Sequence, residues 1–263
     1  MLNFITWNPD PEIFSVWNLS VRWYGLLFAL GFVAGYFIVQ QIFKYEKIPA
    51  KLLDKLATYM IIATVVGARL GHCFFYEPQY YLDHPWEILM VWKGGLASHG
   101  AAIAIIIALL IFSRTYNLPF IWIMDRLAIV VALAGVFIRT GNLMNSEIFG
   151  KPADVSWAFV FLRSDSIPRH PTQIYEALAY LLTFVFLYAF YFYKKGKPRP
   201  GFLFGMFMIL VFTSRFLIEF LKEPQVNFES DMVLNMGQLL SLPFILVGLV
   251  SVFWPVRKPN HLS

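Results

Sequence analysis

The stretch that decides the fold is residues 23–43, WYGLLFALGFVAGYFIVQQIF, which contains no charged side chain. A helix needs ~20 mostly apolar residues to cross the hydrocarbon core of a bilayer, so this stretch predicts a transmembrane helix. The residues before it include Asp10 and Glu12 and show neither a basic region nor a small-residue cleavage site. We therefore expect this first apolar run to stay in the mature protein rather than be removed as a signal peptide.

Six further apolar runs follow along the chain. They cover residues 56–76, 94–113, 120–138, 177–193, 200–214 (continuing past Arg215 and Glu219) and 232–256. Charges interrupt only three of them, and the runs with Asp125 and Arg126 or with Arg215 and Glu219 are the least regular. The pattern predicts an all-α polytopic membrane protein, with seven transmembrane helices in a single membrane-embedded domain that covers residues 1–263.

The composition agrees with this class. Of the 263 residues, 59% are hydrophobic and only 14% charged, against about 25% charged in soluble domains. These values exclude a disordered chain, a coiled coil and almost any water-soluble enzyme. Cys73 is the only cysteine, which excludes an internal disulfide and a cysteine-based zinc site. The net charge of +5 lies in short tracts between apolar runs, which favours anionic lipid headgroups over nucleic acid as the partner.

Basic tracts also predict the orientation. Lysines cluster at residues 44–55 and 194–199, and Arg257 and Lys258 lie in the C-terminal tail. Because cytoplasmic loops are enriched in Lys and Arg, we expect the N-terminus outside and the C-terminus in the cytoplasm. The loop of residues 139–169 is basic and yet falls outside, so its basic residues become candidates for function.

With these directions, polar groups from six helices fall at one depth near the outer surface. They are Arg22, Tyr24, Arg69, His72, His99, Arg139, Asn142, Asn145, Glu147, Arg169, His170, Gln173, Tyr175, Glu176, Arg215 and Glu219. Ionisable groups inside a membrane are costly and usually face a working cavity. Long side chains can instead snorkel to the headgroups, but His, Asn and Gln have no need to do so. The set as a whole therefore indicates a functional site.

The densest motif is residues 138–150, IRTGNLMNSEIFG, at a predicted helix end. The fork of Arg139, with the amides of Asn142 and Asn145 close by, suits a phosphate diester. Gly141 lets the backbone approach a ligand or break the helix. The alternative is a satisfied helix terminus with a glycine turn.

Three other motifs are each open to a structural explanation. Arg215 and Glu219 are four residues apart on one helix and can simply pair. The small residues around His99, in GGLASHG at 94–100, admit either a close helix or a ligand. Residues 169–176, RHPTQIYE, look like a helix start with Pro171 in the first turn, where His170 either caps the helix or meets a ligand.

Five segments in this order resemble the bacterial prolipoprotein diacylglyceryl transferases: VRWYG at 21–25, GGLASHG at 94–100, RTGNLMNSE at 139–147, RHPTQIYE at 169–176 and RFLIEF at 215–220. The resemblance implies a multi-pass enzyme of the bacterial inner membrane, with seven spans and an active site toward the periplasm. It would move the diacylglyceryl group of phosphatidylglycerol to the lipobox cysteine of a preprolipoprotein signal peptide. The products would be a thioether and glycerol 1-phosphate, formed without metal or cofactor.

The resemblance also implies roles for particular residues. The family's essential positions fall on Tyr24, His99, Arg139, Asn142, Glu147, Arg215 and Glu219, and further motif positions fall on Asn145, Gly150 and His170. Of these, Arg139, Asn142, Asn145, Glu147, Arg215 and His170, together with Gly141, are expected to bind phosphatidylglycerol. Three positions depart from the family pattern. Val211 replaces a tyrosine, Ile138 replaces a glycine, and residues 222–225 read KEPQ.

The implied chemistry fits the residue types. A thiol must react as its thiolate, and two arginines can hold the diester and neutralise the leaving phosphate. His99 is a candidate base for the thiol, as are Arg139 with Glu147 and the leaving phosphate itself.

Three other classes of protein compete with this interpretation. A CDP-alcohol phosphotransferase needs an aspartate cluster that the chain lacks. A transporter would show repeated halves and broken helices at the midplane. A scaffolding protein would have no need for buried Arg, His and Asn at one depth.

Overall fold

The structure is a computed structural model that describes residues 4–17, 19–223 and 232–253. Seven helices are long and apolar enough to cross a membrane. They are α1 (Trp23–Tyr45), α2 (Ala50–Phe75), α4 (Ser98–Thr115), α5 (Phe120–Met144), α6 (Thr172–Tyr193), α7 (Phe202–Ile218, extended by a 3-10 turn at Glu219–Leu221) and α8 (Met236–Phe253). A short helix, α3 (Pro78–Asp83), follows α2. The expectation of a mostly helical chain with seven spans is confirmed, whereas the orientation of its termini stays a prediction.

Several helix ends differ from the predicted ones. α2 begins at Ala50 and α6 at Thr172, so both helices start before their charge-free runs. Helices carry polar residues in their first turns without losing backbone hydrogen bonds, and a search for charge-free runs misses such turns. Conversely, α4 begins only at Ser98, because Gly94 and Gly95 have φ values of 85° and 68°. Residues 254–256 of the last predicted run lie outside the described residues.

Five short strands, which the sequence does not predict, accompany the helices. β1 (Ile5–Trp7), β4 (Phe159–Phe161) and β5 (Pro168–Arg169) form one sheet, with β1 parallel to β4 and β5 antiparallel to β4. A hairpin of β2 (Glu12–Val16) and β3 (Leu19–Arg22) leads directly into α1. The indole of Trp7 donates a hydrogen bond to the backbone carbonyl of Leu143, 2.9 Å away. The first sheet is thereby tied to the end of α5.

The chain forms two compact units. One comprises Gln40–Ile123, and the other comprises Met1–Val39 with Met124–Ser263. In the first unit, α2 packs closely against α4 through glycines: a Cβ atom on Gly71 would lie 2.7 Å from the Cα atom of Gly100. The small residues near His99 therefore serve a close helix contact.

Arg69, also in this unit, is buried and donates hydrogen bonds to the backbone carbonyls of Ile88, Gly94 and Gly95. It holds the loop that precedes α4. Its place among the polar residues at the predicted depth thus has a structural explanation.

In the second unit, the charge that interrupts the run at 120–138 has a structural role. The carboxylate of Asp125 accepts hydrogen bonds from the backbone N–H groups of Gly201 and Phe204, at 2.8 and 2.9 Å. These groups lie at the start of α7, where backbone N–H groups lack partners within the helix. Asp125 is fully buried and caps α7 from a neighbouring helix.

The outward faces of the spans carry large apolar side chains. Leu182 is 70% exposed, Leu246 62% and Phe37 61%. Contiguous apolar surface of this kind is unfavourable in water and is matched by lipid tails. Together with the seven apolar helices, it identifies a multi-pass membrane protein.

Candidate active site

The motif at the end of α5 forms a hydrogen-bonded chain. Nη1 of Arg139 donates to Oδ1 of Asn142 at 3.2 Å, and Nδ2 of Asn142 donates to Oε1 of Glu147 at 2.8 Å. Asn145 donates to the same Glu147 oxygen at 3.2 Å. Glu147 accepts two amide hydrogen bonds here, so the amides fix the carboxylate and Asn142 in turn positions Arg139.

Gly141 does not break the helix, whereas its predicted close approach to a ligand stays a prediction. The helix continues through it to Met144, and a Cβ atom at Gly141 would lie 2.8 Å from Cδ2 of the Tyr24 ring. The glycine therefore makes room for Tyr24 rather than breaking the helix. Tyr24 is close enough to Glu147 and Arg139 for electrostatic interaction with both.

A second chain of charges links Arg139 to the end of α7. Nε of Arg139 lies 2.9 Å from Oε2 of Glu176, and Nζ of Lys222 lies 2.9 Å from Oε1 of the same carboxylate. Lys222 also lies 3.1 Å from Oε2 of Glu219. Glu176 is fully buried, Lys222 and Glu219 nearly so. Because buried charges are tolerated when paired and hydrogen-bonded, this arrangement holds the guanidinium of Arg139 in a low-dielectric site.

The predicted pairing of Arg215 with Glu219 does not occur. Among the ion pairs of the described residues, Glu219 is bound to Lys222 instead. The carboxylate of Glu219 lies over Gly237 of α8, where a Cβ atom would lie 2.6 Å from it. Arg215, one turn earlier on α7, interacts electrostatically with the hydroxyl of Tyr180, as does Arg139. Both arginines therefore act electrostatically on the same tyrosine, and only Arg139 is also hydrogen-bonded to it.

The first turn of α6 is anchored to the loop after α5. The hydroxyl of Thr172 donates to the backbone carbonyl of Ile148 at 3.0 Å, and Nε2 of Gln173 donates to that of Glu147 at 2.7 Å. Gly150 packs against His170, since a Cβ atom there would lie 2.7 Å from the Cβ atom of His170. His170 itself lies 3.1 Å from the hydroxyl of Tyr175. This loop thus brings the motif beside the start of α6.

Arg169 closes the loop around this region. It forms ion pairs with Asp165 at 2.6 Å and with Glu223 at 2.7 Å, and its guanidinium lies over the ring of Phe149. Hydrogen bonds from Arg169 hold the pKa of the Asp165 carboxyl below its usual value, and Asp165 in turn raises the pKa of Arg169. Arg169, one of the basic residues of this loop, is therefore held by ion pairs within the protein.

A cavity of about 150 Å³ opens between α5 and α6 beside Arg139. Its polar lining comes from Arg139, Thr140 and Gln173, and its other walls are apolar, including Leu143, Ile174 and Leu178. A mainly apolar cleft with an arginine among its lining residues suits an amphiphile with an anionic group, such as a phospholipid.

His99 belongs to the other compact unit. It is the second residue of α4, as expected, and its side chain is exposed. Its ring contacts Phe75 edge-on at 5.1 Å and lies 5.8 Å from the ring of Tyr76. The other unit contains the remaining predicted site residues, namely Tyr24, Arg139, Asn142, Asn145, Glu147, His170, Arg215 and Glu219.

Sequence analysis gave no role to three residues that the site depends on. The sequence places Glu176 and Gln173 near the outer surface but indicates no partner for either side chain. Lys222 stands out in the sequence only as part of a departure from the family pattern. Glu176 directly precedes the uncharged run 177–193, and a carboxylate at the edge of a membrane span is a sequence signal for a buried, paired charge. Val211, where the family often has a tyrosine, is buried within α7.

Known proteins resemble this chain over nearly its whole length. The family model for prolipoprotein diacylglyceryl transferase matches residues 11–254. A phosphatidylglycerol--prolipoprotein diacylglyceryl transferase of Tolumonas auensis is 51% identical over 96% of this chain and 98% of its own length. Proteins of the same name from Chloroherpeton thalassium and Bacteroides fragilis are 46% and 44% identical, over 97% and 99% of this chain and 96% and 98% of theirs.

A match over nearly the whole chain excludes the competing classes of phosphotransferase, transporter and scaffold. The chain belongs to the prolipoprotein diacylglyceryl transferase family.

Proposed function

We propose that this protein transfers the diacylglyceryl group of phosphatidylglycerol to the lipobox cysteine of a preprolipoprotein, the first step of bacterial lipoprotein maturation. The thiolate sulfur attacks the glyceryl carbon that carries the phosphate. A carbon–sulfur bond forms, the carbon–oxygen bond to the phosphate breaks, and glycerol 1-phosphate leaves with the electron pair. The thiol proton goes to a base, so atoms and charges balance.

The observation that carries this proposal is the environment of Arg139. Its guanidinium is fixed by Glu176 and Asn142, and Arg139 is one of the residues that line a mainly apolar cleft. A preorganised cation in a water-poor site stabilises negative charge that develops on a leaving phosphate, without reorganisation during the reaction. Arg215, which acts electrostatically on the same Tyr180 as Arg139, is the proposed second guanidinium for the phosphate.

The remaining residues have positioning or chemical roles in this proposal. Asn142, Asn145 and Glu147 orient Arg139, and Glu219 balances the charge of Lys222. Gly141 and Gly150 allow close packing around them, and His170 lies at the rim with Tyr175. His99 is the proposed base for the thiol, because a neutral imidazole nitrogen can accept the thiol proton.

The site's location is also part of the proposal. We place the enzyme in the bacterial inner membrane with the Arg139 cleft toward the periplasm, where a signal-peptide cleavage region emerges. We expect residues 1–263 to act as a single membrane-embedded catalytic domain. The partners are phosphatidylglycerol, the prolipoprotein and the bilayer, with no metal, cofactor or nucleic acid.

The direct test is incubation of the purified protein with phosphatidylglycerol and a lipobox peptide. Mass spectrometry should show the peptide gaining one diacylglyceryl group, and glycerol 1-phosphate should accumulate in equal amount. A peptide with serine in place of the lipobox cysteine is the matched control and should gain nothing. Modification of the serine peptide, or none of the cysteine peptide, would contradict the proposed transfer.

A further inference from the structure

Gln173 is a fully buried polar residue with only one of its two amide ends in use. Its Nε2 donates to the backbone carbonyl of Glu147 at 2.7 Å. A backbone carbonyl only accepts hydrogen bonds, so the amide nitrogen must face Glu147 and the amide oxygen must face away. The orientation of the side chain is thereby fixed without reference to any ligand.

The amide oxygen has no hydrogen-bond partner among the residues that the structure describes, although it is buried. Buried polar groups nearly always have partners, and an unsatisfied acceptor needs an explanation. Gln173 lines the cavity that also contains Arg139, and most of the other lining groups are apolar. A hydrogen-bond donor of a ligand in this cavity is therefore the candidate partner of this oxygen.

The chemistry of the proposed substrate narrows the identity of that donor. The diacylglyceryl side of phosphatidylglycerol carries ester oxygens, which only accept hydrogen bonds. The headgroup glycerol carries free hydroxyls close to the phosphate, and hydroxyls donate. With the phosphate on Arg139, the nearby donors of this lipid are thus the headgroup hydroxyls.

We infer that Gln173 is a specificity-determining residue whose side-chain carbonyl accepts a hydrogen bond from a glycerol hydroxyl of the lipid headgroup. The inference rests on the proposed function. It adds that the side-chain carbonyl of Gln173 distinguishes a headgroup with hydroxyls from one without them. A site built to hydrogen-bond a substrate hydroxyl rejects an analogue that lacks it, because the acceptor is then left buried and unpaired.

The test compares phosphatidylglycerol with phosphatidylpropanol, whose headgroup has the same carbon skeleton without free hydroxyls. Both lipids donate the same diacylglyceryl group, so one mass-spectrometric product reports both reactions. The unmodified protein should prefer phosphatidylglycerol in kcat/KM by roughly five- to tenfold, the size of one net hydrogen bond. In Gln173→Met, which has no comparable acceptor, the ratio should fall close to one.

A purely structural role for Gln173 gives a different result. Loss of its hydrogen bond to Glu147 would lower the rate with both lipids equally and leave their ratio unchanged, which would overturn the inference. Gln238→Met is the matched control. Gln238 is also buried, but its side chain bonds to Asn235 and Phe216, away from the residues that line the cavity. It should keep the full preference for phosphatidylglycerol.

Two further measurements keep the inference testable if Gln173→Met fails to fold. Gln173→Glu retains an acceptor oxygen and should keep the preference, even where its charge weakens the binding of both lipids. Equal use of both lipids by the unmodified protein would overturn the inference without any variant. If neither lipid supported any transfer, the proposed function itself would be overturned.

Discussion

At the scale of single residues, the sequence predicted which side chain types the site contains but not which of them pair. Arg139, Asn142 and Glu147 could be found because they are close in the chain and near a helix end. Glu176 and Lys222 could not be paired, because 46 residues separate them and the contact arises from the packing of α6 beside the end of α7. A buried ion pair between distant helices leaves little local pattern in a sequence.

The first prediction concerns the guanidinium groups. Arg139→Lys should lose most activity, roughly 10²-fold or more, because lysine cannot contact Glu176 and Asn142 and still present donors to a phosphate. Arg215→Lys should also lose most activity, because a lysine ammonium does not reproduce the donor geometry of a guanidinium. Steady-state transfer assays on both variants measure the effect. Full activity of both lysine variants would mean that positive charge alone matters and that the fork geometry does not.

The second prediction concerns His99. If it takes the thiol proton, His99→Gln should lower kcat by about 10²–10⁴-fold while phosphatidylglycerol binding stays nearly normal. Glutamine keeps hydrogen bonding but cannot accept the proton. His84→Gln, on the loop after α3, is the control and should behave like the unmodified protein. A folded His99→Gln variant with normal turnover would leave His99 as a positioning residue only.

At the scale of elements, the long apolar helices were predictable and the short strands were not. A charge-free run of about twenty residues is a strong local signal, whereas β1 has three residues and pairs with β4 far along the chain. The alternation of apolar and polar residues in a strand needs more positions than β1, β4 or β5 offer. The strands therefore depend on tertiary context, including the contact of Trp7 with the end of α5.

The third prediction tests the glycine contact between α2 and α4. Gly67→Ala should destabilise the protein by about 1–3 kcal/mol, because its Cβ atom would lie 2.7 Å from the backbone oxygen of Gly100. Gly25→Ala, in the first turn of α1, is the matched control: nothing lies within 4 Å of its Cβ position. It should be neutral or slightly stabilising. Thermal unfolding in detergent measures both, and equal stability of the two variants would contradict the close contact.

The fourth prediction concerns the loop between β4 and β5. Because Arg169 lowers the pKa of Asp165 in the folded state, the pair stabilises the protein above the ordinary aspartate pKa of roughly 3.9. That contribution is lost as the pH falls through the lowered value. Asp165→Asn should therefore be less stable than the unmodified protein at neutral pH, and the difference should vanish in acid. Asp154→Asn, exposed in the preceding loop, should show no such pH-dependent difference.

At the scale of the whole molecule, the number of spans follows from composition, but their direction rests on the distribution of lysine and arginine. The tracts at residues 44–55 and 194–199 carry most of this asymmetry. The basic stretch of residues 139–169, which includes the end of α5, opposes this asymmetry, and ion pairs within the protein explain two of its charges. Arg139 is bound by Glu176, and Arg169 by Asp165 and Glu223. Because these two arginines are neutralised by carboxylates, they count less against an outside position of this stretch.

The fifth prediction tests that orientation. Ser146 lies in the loop after α5 but is buried, so Ser156, which is exposed, is the better site for labelling. In a background with Cys73→Ala, which removes the only native thiol, Ser156→Cys in intact cells should react with a membrane-impermeant maleimide. Lys197→Cys, exposed in the basic tract after α6, should react only after the membrane is opened. The reverse pattern would place the Arg139 cleft on the cytoplasmic side, where it would not meet a signal peptide that emerges in the periplasm.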